Sequence, residues 1–428
     1  MSGSPDVLVL GGGIVGVSAA LHLQARGLDV ALVDRREPGR ETSHGNAGLI
    51  ETSAILPHPF PRGLRTALRL ALNRTDAVQA DPRFLPRLLP WLLAYRRASS
   101  GKRLEALKPA FRRLIAASLS EHRFLLDQAG AQDLLRKDGW LELCRTRDAL
   151  DEADREAAEA RALGVSAEVI DAPALHAMEP ALAGRFAGAL HWTDTARITD
   201  PGALVARLAQ LFGRRGGRVV KGNALALEQV GGGWRLPDTA HGALQAAHAV
   251  VALGPWSGDL TRRLGYRMPL AAKRGYHRHF RQGAVPLTRP VYVRDRNCLM
   301  VPAAAGLRVL TGVELAPRDA PPHPRLMRRM AECAQETLAL GEAVEDESWL
   351  GSRPCLPDML PVIGPAPRHA GLWLAFGHGH FGFTQGPLTG RLIAELVTGE
   401  TPLLPVDPYS AARFRGGSAP RIRKGPLQ

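Results

Sequence analysis

The sequence predicts an α/β fold of two interleaved domains, one with a parallel, doubly wound sheet and one with a mixed sheet. Three observations predict it: a strand–helix–strand unit over residues 6–36, an antiparallel meander that returns to an apolar strand at 249–253, and a strand at 372–376 that runs through glycines into a helix. With 428 residues the chain exceeds one simple core, so two domains are expected.

The first unit carries the pattern of a dinucleotide-binding turn. The strand Val7–Leu10 is followed by Gly11, Gly13 and Gly16, and the next strand ends at Asp34. Gly11 permits a tight turn, Gly13 lets the backbone approach a pyrophosphate, and Gly16 lets the helix press against the sheet.

The helix that follows those glycines completes the predicted site. Its N-terminus, at Ile14 and Val15, offers N–H groups and a partial positive charge to a diphosphate. Asp34, with Arg35 beside it, lies about twenty residues on, where a carboxylate accepts both ribose hydroxyls. The unit therefore predicts binding of the adenosine end of a dinucleotide.

Composition excludes several classes of protein. Hydrophobic residues make up 45% and charged residues 22%, as in a soluble globular protein. No apolar run of membrane-spanning length occurs, and the first strand begins at about Asp6, which leaves no room for a signal peptide, so a cytoplasmic location is expected. The cysteines Cys144, Cys298, Cys333 and Cys355 are far apart without a CxxC, which argues against zinc, an iron–sulfur cluster and a disulfide framework; no metal is expected.

The net charge of +14 is distributed unevenly. Between Arg62 and Arg113, thirteen Lys and Arg face three acids, which leaves ten of the fourteen charges there. One interpretation is a basic amphipathic surface in peripheral contact with anionic lipid; the other is a set of helices with buried Leu faces and solvated Arg faces. No nucleic-acid module accompanies the charge, so no nucleic acid is expected as a partner. The C-terminal tail is assigned to 406–428, and its basic segment RFRGGSAPRIRKGPLQ at 413–428 is expected to be disordered.

The middle of the chain alternates between helical and extended patterns. Residues 60–130 are predicted helical, cut into short pieces by prolines from Pro57 to Pro90. A strand is predicted at 139–144, a charged helix at 149–163 and a capped helix at 201–214.

Two later segments indicate a flavin rather than a nicotinamide. Residues 218–222 form a short strand, the meander covers 225–230, 233–236 and 243–246, and the strand after it ends at Gly254-Pro255-Trp256. This order suits a flavoprotein of the glutathione-reductase type with a Rossmann-like FAD-binding domain. An enzyme that uses both FAD and NAD would usually have a second GxGxxG near mid-chain, and none lies there, so the substrate is expected to reduce the flavin directly.

The glycines at 377–386 precede a helix predicted from about residue 388 to 397. That N-terminus is expected to face the N1–C2=O edge of a flavin, where negative charge gathers on reduction.

Motifs in order along nearly the whole chain resemble those of the D-amino-acid oxidase superfamily of FAD-dependent oxidoreductases. They are GGGIVG at 11–16, ETSHGNAGLI at 41–50, ARITDPGALV at 196–205, GPWSGDL at 254–260, RGY at 274–276, SRPCLPDMLPVIGP at 352–365 and GHGHFGFTQGPLTGRL at 377–392. The strongest likeness is to the small subunit of bacterial D-amino-acid dehydrogenases; glycine oxidase and sarcosine oxidase are more distant.

The resemblance implies roles for three residues. Arg353 stands where the family holds the substrate carboxylate, a task that suits a planar guanidinium; the alternative is a structural pair with Asp358. Tyr276 stands at the family's substrate-domain tyrosine, where a hydroxyl would add a hydrogen bond to that carboxylate, or it is a core residue. His380 is expected to shape the substrate pocket; a role in proton transfer and a scaffold role are the alternatives.

The cofactor residues implied by the motifs are spread over four segments. They are Gly11, Gly13, Ile14, Val15, Gly16, Asp34 and Arg35; Ser43, His44, Asn46 and Ala47; Gly254 and Trp256; and Gly377, His378, Gly379, Gly382 and Thr384. Some relatives attach FAD through a histidine near His44, but the spacing here is one residue different, so noncovalent FAD is predicted.

The implied activity is FAD-dependent oxidative deamination of a D-amino acid or a related secondary amino acid. Hydride transfer from Cα to flavin N5 gives an imine that hydrolyses to a 2-oxo acid. Sarcosine-type oxidases have a lysine above the flavin where this chain has Arg308, which favours a quinone or another electron carrier over oxygen. The alternatives are one component of an opine, hydroxyproline or sarcosine/glycine-type oxidoreductase with partner subunits, and a noncatalytic FAD-binding partner protein.

The predicted domains are discontinuous. Segments 1–55, 196–265 and 346–405 are assigned to the FAD-binding domain, and segments 56–195 and 266–345 to the substrate domain, followed by the tail.

Overall fold

The computed structural model describes residues 4–61, 63, 69 and 72–414. Within them the strands are β1 Val7–Leu10, β2 Val30–Asp34, β3 Leu49–Ile50, β4 Val78–Ala80, β5 Leu135–Arg136, β6 Trp140–Cys144, β7 Ala167–Asp171, β8 Gly188–Trp192, β9 Ala196–Ile198, β10 Arg218–Lys221, β11 Glu228–Val230, β12 Gly233–Leu236, β13 Leu244–Ala246, β14 His248–Val251, β15 Ala271–Gln282, β16 Val291–Val293, β17 Cys298–Ala303, β18 Gly306–Leu310, β19 Val313–Leu315, β20 Leu340–Ala343, β21 Trp349–Cys355, β22 Val362–Pro365 and β23 Leu372–Phe376. The helices are α1 Ile14–Gln24, α2 Leu85–Ala98, α3 Gly101–Ala129, α4 Arg147–Ala162, α5 Ala172–Met178, α6 Pro201–Arg214, α7 Ser257–Arg263, α8 Arg325–Thr337 and α9 Gly382–Val397.

The first sheet is the predicted parallel one. Its strand order in the described part of the chain is β10-β2-β1-β14-β23-β22, and β22 alone runs antiparallel to its neighbour. Val7 and Val9 of β1 pack into the core that contains α1, α3, α6 and α9, whereas Leu8 and Leu10 pack on the opposite side of the sheet. Burial of both faces explains the continuous apolar composition of β1 and β2.

The predicted meander is also confirmed. Strands β11, β12 and β13 form an antiparallel sheet that buries Trp234 and Leu236 against the first sheet. The chain then enters β14, which is parallel to β1, and turns at Gly254, whose φ is +53°.

The second sheet is mixed, as predicted. Its main strand order among the described residues is β4-β19-β15-β18-β17-β16-β6-β8-β7, and β20 and β21 also pair with β15. Helix α8 packs on one face through Met327, Met330 and Cys333. The other face of β15 and β21 turns towards the first sheet, which positions the site described below.

Two expectations about helices are wrong in detail. The 60–130 segment contains strand β4 and an unbroken helix α3 of 29 residues, although Pro109 lies inside it. Pro109 and Glu105 are exposed, so the carbonyl that loses its helical partner is at the surface, where water can reach it.

Helix α9 begins at Gly382, six residues before the predicted start, with Pro387 inside it. Pro387 cannot donate to the Phe383 carbonyl, but His122 of α3 lies 2.9 Å from that oxygen through Nε2. Burial lowers the pKa of His122 to about 4, so the neutral ring donates a hydrogen bond in place of the missing N–H.

Helix α3 packs against the first sheet's helices although it lies in the range 56–195 predicted for the substrate domain. Val406 and Tyr409 pack against the same core, and the buried Tyr409 hydroxyl donates to the Ala110 carbonyl at 2.8 Å. Ala411 and Phe414 pack against the core on the other side of the sheet. The domain bounds stay a prediction, and the tail from residue 415 onwards lies outside the described residues. Among those residues no helix is both long and apolar enough to cross a bilayer.

Candidate active site

A cavity of about 840 Å³ lies between the carboxyl ends of the parallel strands and the inner face of the second sheet. Open α/β sheets bind ligands at this edge. Most predicted site residues line it: Gly11, Gly13, Ile14, Val15, Asp34, Arg35, Ser43, Asn46, Ala47, Gly254, Trp256, Tyr276, Arg353, His378, Gly379, His380 and Gly382. Four predicted site residues do not line the cavity: Gly16, His44, Gly377 and Thr384.

The glycine turn fits its predicted roles. Gly11 has a φ of +112°, and a Cβ on Gly16 would stand 1.8 Å from the Gly11 carbonyl oxygen, so these two glycines close the turn. Gly13 has an extended backbone, and a Cβ there would meet only the Ser43 hydroxyl at 3.4 Å. The protein's own packing therefore leaves room for a side chain at position 13, and this room faces the cavity.

Asp34 and Arg35 are held in place at the end of β2. Asp34 accepts hydrogen bonds from the backbone N–H groups of Gly12, at 2.6 Å, and Arg36, at 3.0 Å. The Arg35 guanidinium lies 4.2 Å from the centroid of the Trp256 ring and pairs with Glu41 at 2.6 Å. These contacts join the predicted segments of Asp34 and Trp256 in the part of the cavity where the ribose and adenine are expected.

The 43–47 segment passes over the start of α1. The Ser43 hydroxyl accepts a hydrogen bond from the Ile14 N–H at 3.0 Å. Arg308, on β18, donates to the backbone carbonyls of His44 and Asn46, and its Nε donates to His279 at 2.9 Å. Arg308 therefore fixes this segment from behind.

The His44 ring packs against Gly202, His277 and Trp349, outside the cavity. This position supports the prediction of noncovalent FAD.

The side chains of His378 and Thr384 stabilise the start of α9, whereas the glycines there border the cavity. The buried His378 ring lies 2.9 Å from the Thr389 hydroxyl, and burial lowers its pKa to about 3. The Thr384 hydroxyl donates to the Leu49 carbonyl and accepts from the Glu51 N–H, both at 3.2 Å, so it ties α9 to β3. These side chains support the loop, while Gly379 and Gly382 border the cavity.

Arg353 faces the cavity without a carboxylate partner among the described residues. Its one hydrogen bond is a long one, 3.5 Å, to the Arg274 carbonyl. Asp358, the alternative partner, pairs instead with Arg413 at 2.6 Å. A Cβ on Gly275 would lie 2.3 Å from the Arg353 guanidinium, so the absence of a side chain there makes room for it.

Tyr276 borders the cavity, but strand alternation argues against the carboxylate-binding role predicted for it. In the β15–β21 ladder Lys273 pairs with Arg353 and Gly275 with Gly351, whereas Tyr276 pairs with Leu350. Paired residues share a face, so the Tyr276 side chain points away from Arg353. Its hydroxyl donates to Glu314 at 2.6 Å and accepts from the His323 N–H at 2.9 Å.

Several cavity residues escaped the sequence analysis: Glu51, His58, Tyr95, Lys273 and Tyr292. Glu51 directly follows the NAGLI motif, and Lys273 stands just before RGY, but only the fold brings these residues together. The Tyr95 hydroxyl donates to the His58 carbonyl at 2.5 Å, and the Tyr292 hydroxyl donates to Asn297 at 2.9 Å.

The titratable groups of the cavity are strongly perturbed. Burial raises the pKa of Glu51 to about 7, although nearby Arg353 acts against the shift. Burial, together with the neighbouring cations, lowers the pKa of His58 to about 4 and that of His380 well below its ordinary value. Both histidines are therefore neutral near pH 7, which argues against a protonated His380 as an acid.

The cavity has a glycine turn next to an acidic residue at a strand end, and the N-terminus of a second helix on its opposite side. This arrangement fits an extended dinucleotide that has a flavin ring at the end opposite its adenine. Gly13 leaves space that a Cβ would fill, and Asp34 borders the cavity next to this turn, where it accepts the Gly12 N–H. The fold and the site thus define an FAD-binding oxidoreductase.

Comparison with known proteins gives the family. Residues 6–396 match the DAO family, described as FAD dependent oxidoreductase. The chain is 30% identical over 419 residues to a D-amino-acid oxidase of Bradyrhizobium diazoefficiens, covering 95% of this chain and 98% of that protein. It is 32% identical over 423 residues to a D-amino acid dehydrogenase of Methylobacterium radiotolerans, covering 95% and 99%.

A solved structure agrees on the fold. Glycine oxidase from Geobacillus kaustophilus superimposes with a TM-score of 0.72 at 24% identity, covering 96% of this chain and 99% of that one. The chain belongs to the DAO family of FAD-dependent oxidoreductases, and FAD is its cofactor.

Proposed function

We propose that the protein oxidises a D-amino acid, or a related secondary amino acid, to the imine, which water then converts to a 2-oxo acid. The observation that carries the proposal is Arg353: a guanidinium that faces the cavity and has no carboxylate partner among the described residues. The relatives named D-amino-acid oxidase and D-amino acid dehydrogenase support the same substrate class.

The protein's part in the reaction is to bind and orient. The planar Arg353 fork would hold the substrate carboxylate by two hydrogen bonds and so fix the position of Cα. Bound FAD accepts the two electrons and the hydrogen that the amino acid loses at Cα. The nitrogen releases one proton to solvent as the C=N bond forms. Hydrolysis of the released imine gives a 2-oxo acid and, from a primary amine, ammonia.

Product analysis tests this assignment. Purified holoprotein is incubated with single D- and L-amino acids, proline, sarcosine and an opine; anaerobic bleaching of the flavin reports oxidation of any of them, and 2-oxo acid and ammonia are measured as products. Equal amounts of both products from D-amino acids alone support the proposal. Turnover confined to sarcosine or an opine favours the alternative of a secondary-amine oxidoreductase, and no turnover of any amine favours the noncatalytic FAD-binding partner.

We propose further that the electrons pass to a quinone or another carrier rather than to oxygen. Arg308 stands where sarcosine-type oxidases have their lysine, and its guanidinium is committed to the carbonyls of the 43–47 segment. After anaerobic reduction, slow reoxidation in air and fast reoxidation by a quinone analogue are expected; fast recovery in air would indicate an oxidase.

The predicted membrane contact has a defined candidate surface. On α2, Leu89 and Leu93 are 51% and 55% exposed, and the neighbouring Arg87, Arg96 and Arg97 are exposed as well. Apolar side chains flanked by arginines suit a surface of anionic lipid. Cosedimentation with anionic vesicles, lost in the Leu89→Ser/Leu93→Ser variant, would support this contact; no cosedimentation of the wild type would exclude it.

Glu51 predicts how carboxylate binding depends on pH. Above about pH 7 the Glu51 carboxylate is ionised and competes for Arg353, so the affinity for an inert carboxylate such as acetate should fall several-fold between pH 6 and 8. Glu51→Gln should remove this dependence and keep the affinity seen at low pH. Titration of the flavin spectrum with acetate measures it; an unchanged pH dependence in the variant would contradict the assignment.

The shifted pKa of Glu51 also predicts how the stability of the protein depends on pH. The folded-state pKa of Glu51, about 7, exceeds the ordinary value of 4.5, so its contribution to stability is complete below about pH 4.5 and is lost as the pH rises through 7. The melting temperature of Glu51→Gln should therefore exceed that of the wild type above pH 7, and the difference should shrink towards pH 5.

A further inference from the structure

Lys273 is a second cation in the cavity that carboxylate binding by Arg353 does not use. It stands directly opposite Arg353 in the antiparallel β15–β21 ladder, and both side chains line the cavity. Its ammonium lies 4.2 Å from the centroid of the Tyr95 ring and 5.3 Å from that of Trp91. Among the described residues no carboxylate pairs with it.

This arrangement is unfavourable in the absence of a ligand. Like charges directly opposite each other across two strands repel, and burial adds a desolvation cost. Burial indeed lowers the pKa of Lys273, and Arg353 adds to the shift while Cys355 acts against it. A pair of cations that destabilises a fold is expected where ligand binding requires it.

A small side pocket of about 30 Å³ adjoins the main cavity at Lys273. It shares His58, Tyr95, Lys273 and His380 with the main cavity. The rings of His58 and His380 are in edge-to-face contact, with centroids 4.7 Å apart. A volume of this size holds about two water-sized groups, which is the size of one carboxylate.

From the opposed pair Arg353 and Lys273 and the side pocket beside Lys273, we infer that the substrate is an acidic amino acid with a second carboxylate in its side chain. Arg353 binds the α-carboxylate, and Lys273 binds the distal carboxylate in the side pocket. His58 and His380 are neutral, so each ring carries one N–H and is able to donate to the same oxygens. This inference rests on the proposed function, because it specifies the substrate within the class proposed there.

The charge balance supports an acidic substrate. Away from the end that holds Asp34, Arg35 and Glu41, the cavity presents two cations, Arg353 and Lys273, and two carboxyl groups, Glu51 and Glu142. Burial raises the pKa of both carboxyl groups to about 7, and Glu142 already pairs with Arg294 at 2.8 Å, so Glu51 alone is left to balance the two cations and is about half ionised at pH 7. An amino acid with a neutral side chain would leave Lys273 desolvated without a counter-charge, whereas a dicarboxylic one supplies it.

The test compares isosteric substrates. Rates of anaerobic flavin reduction are measured for D-aspartate and D-glutamate against D-asparagine and D-glutamine, which keep the shape and lose the charge. The acid of each pair is expected to be preferred by about tenfold or more in kcat/KM, as for a charge-assisted contact. Lys273→Met should abolish this preference by lowering kcat/KM for the two acids while kcat/KM for the two amides stays unchanged. Lys273→Arg should restore part of the preference.

A binding measurement adds a readout that needs no turnover. Glutarate and butyrate, which have no amino group to be oxidised, are titrated into the holoprotein. Glutarate is expected to bind more tightly than butyrate in the wild type and no more tightly in Lys273→Met. The matched control is Lys102→Met, the same substitution at an exposed position of α3, which should leave both affinities unchanged.

The outcomes separate this inference from the proposed function. If D-glutamine and D-glutamate are oxidised equally, the acidic substrate is refuted while the proposed function stands; if no amino acid reduces the flavin, the proposed function itself fails. Lys273→Met should also melt at a higher temperature than the wild type without ligand, because the repulsion is gone. A lower melting temperature, with equal losses for acids and amides, would show that Lys273 is structural and overturn the inference.

Discussion

Arg353→Ala is expected to raise the apparent substrate constant by roughly 30-fold to 5,000-fold while FAD stays bound. Removing one partner of a buried, hydrogen-bonded charge pair costs about 2 to 5 kcal/mol. In the proposed function the second partner of Arg353 is the substrate carboxylate, and Asp358 does not replace it because Asp358 pairs with Arg413. Steady-state kinetics with a D-amino acid, together with the flavin content of the variant, measure both parts of the prediction.

Two further variants make the Arg353 test specific. Arg353→Lys keeps the charge but not the planar fork, so partial recovery of affinity is expected. Arg281→Ala removes an exposed arginine at the end of the same strand, β15, and should leave the kinetics unchanged. Wild-type kinetics in Arg353→Ala would remove Arg353 from the substrate site.

Gly13→Val is expected to give a folded protein that contains no flavin. The Gly13 backbone is extended, which valine adopts readily, and a Cβ would make only an ordinary contact of 3.4 Å with Ser43. The side chain would instead enter the cavity where the pyrophosphate is expected. The absorbance of bound flavin and the melting temperature of the variant test these two expectations separately.

Substitutions at two other glycines, Gly16 and Gly213, are the controls for Gly13→Val. A Cβ on Gly16 would lie 1.8 Å from the Gly11 carbonyl oxygen, so Gly16→Ala should damage the fold itself. Gly213→Val, in helix α6 with nothing near its Cβ, should keep both fold and flavin. A Gly13→Val protein with normal FAD content would contradict the placement of the pyrophosphate.

The parts of the site that could be predicted from the sequence are those that depend on local pattern. The strand Val7–Leu10, the glycines after it and Asp34 lie within one strand–helix–strand unit, whose turn geometry follows from residues close in sequence. The helix Pro201–Arg214 has the predicted bounds for the same reason, because Asp200 caps it and Pro201 opens it.

The features that sequence analysis missed depend on contacts between distant segments. In the sequence, Pro387 predicts a break in the helix. In the structure, His122, more than 260 residues earlier, donates to the Phe383 carbonyl the hydrogen bond that Pro387 cannot donate. The face of β15 that meets the cavity is set by its register with β21, which places Lys273 and Arg353 together and turns Tyr276 away. Glu51 acquires its shifted pKa from burial, which its sequence neighbours do not reveal.

The most direct test of the account is the visible spectrum of the purified protein under anaerobic conditions, before and after addition of D-amino acids. A flavin band near about 450 nm that D-amino acids bleach and L-amino acids do not is predicted, because the flavin is the electron acceptor. A yellow protein that no amino acid bleaches would contradict the proposed oxidation. A colourless protein that cannot take up FAD would contradict the assignment of the cavity.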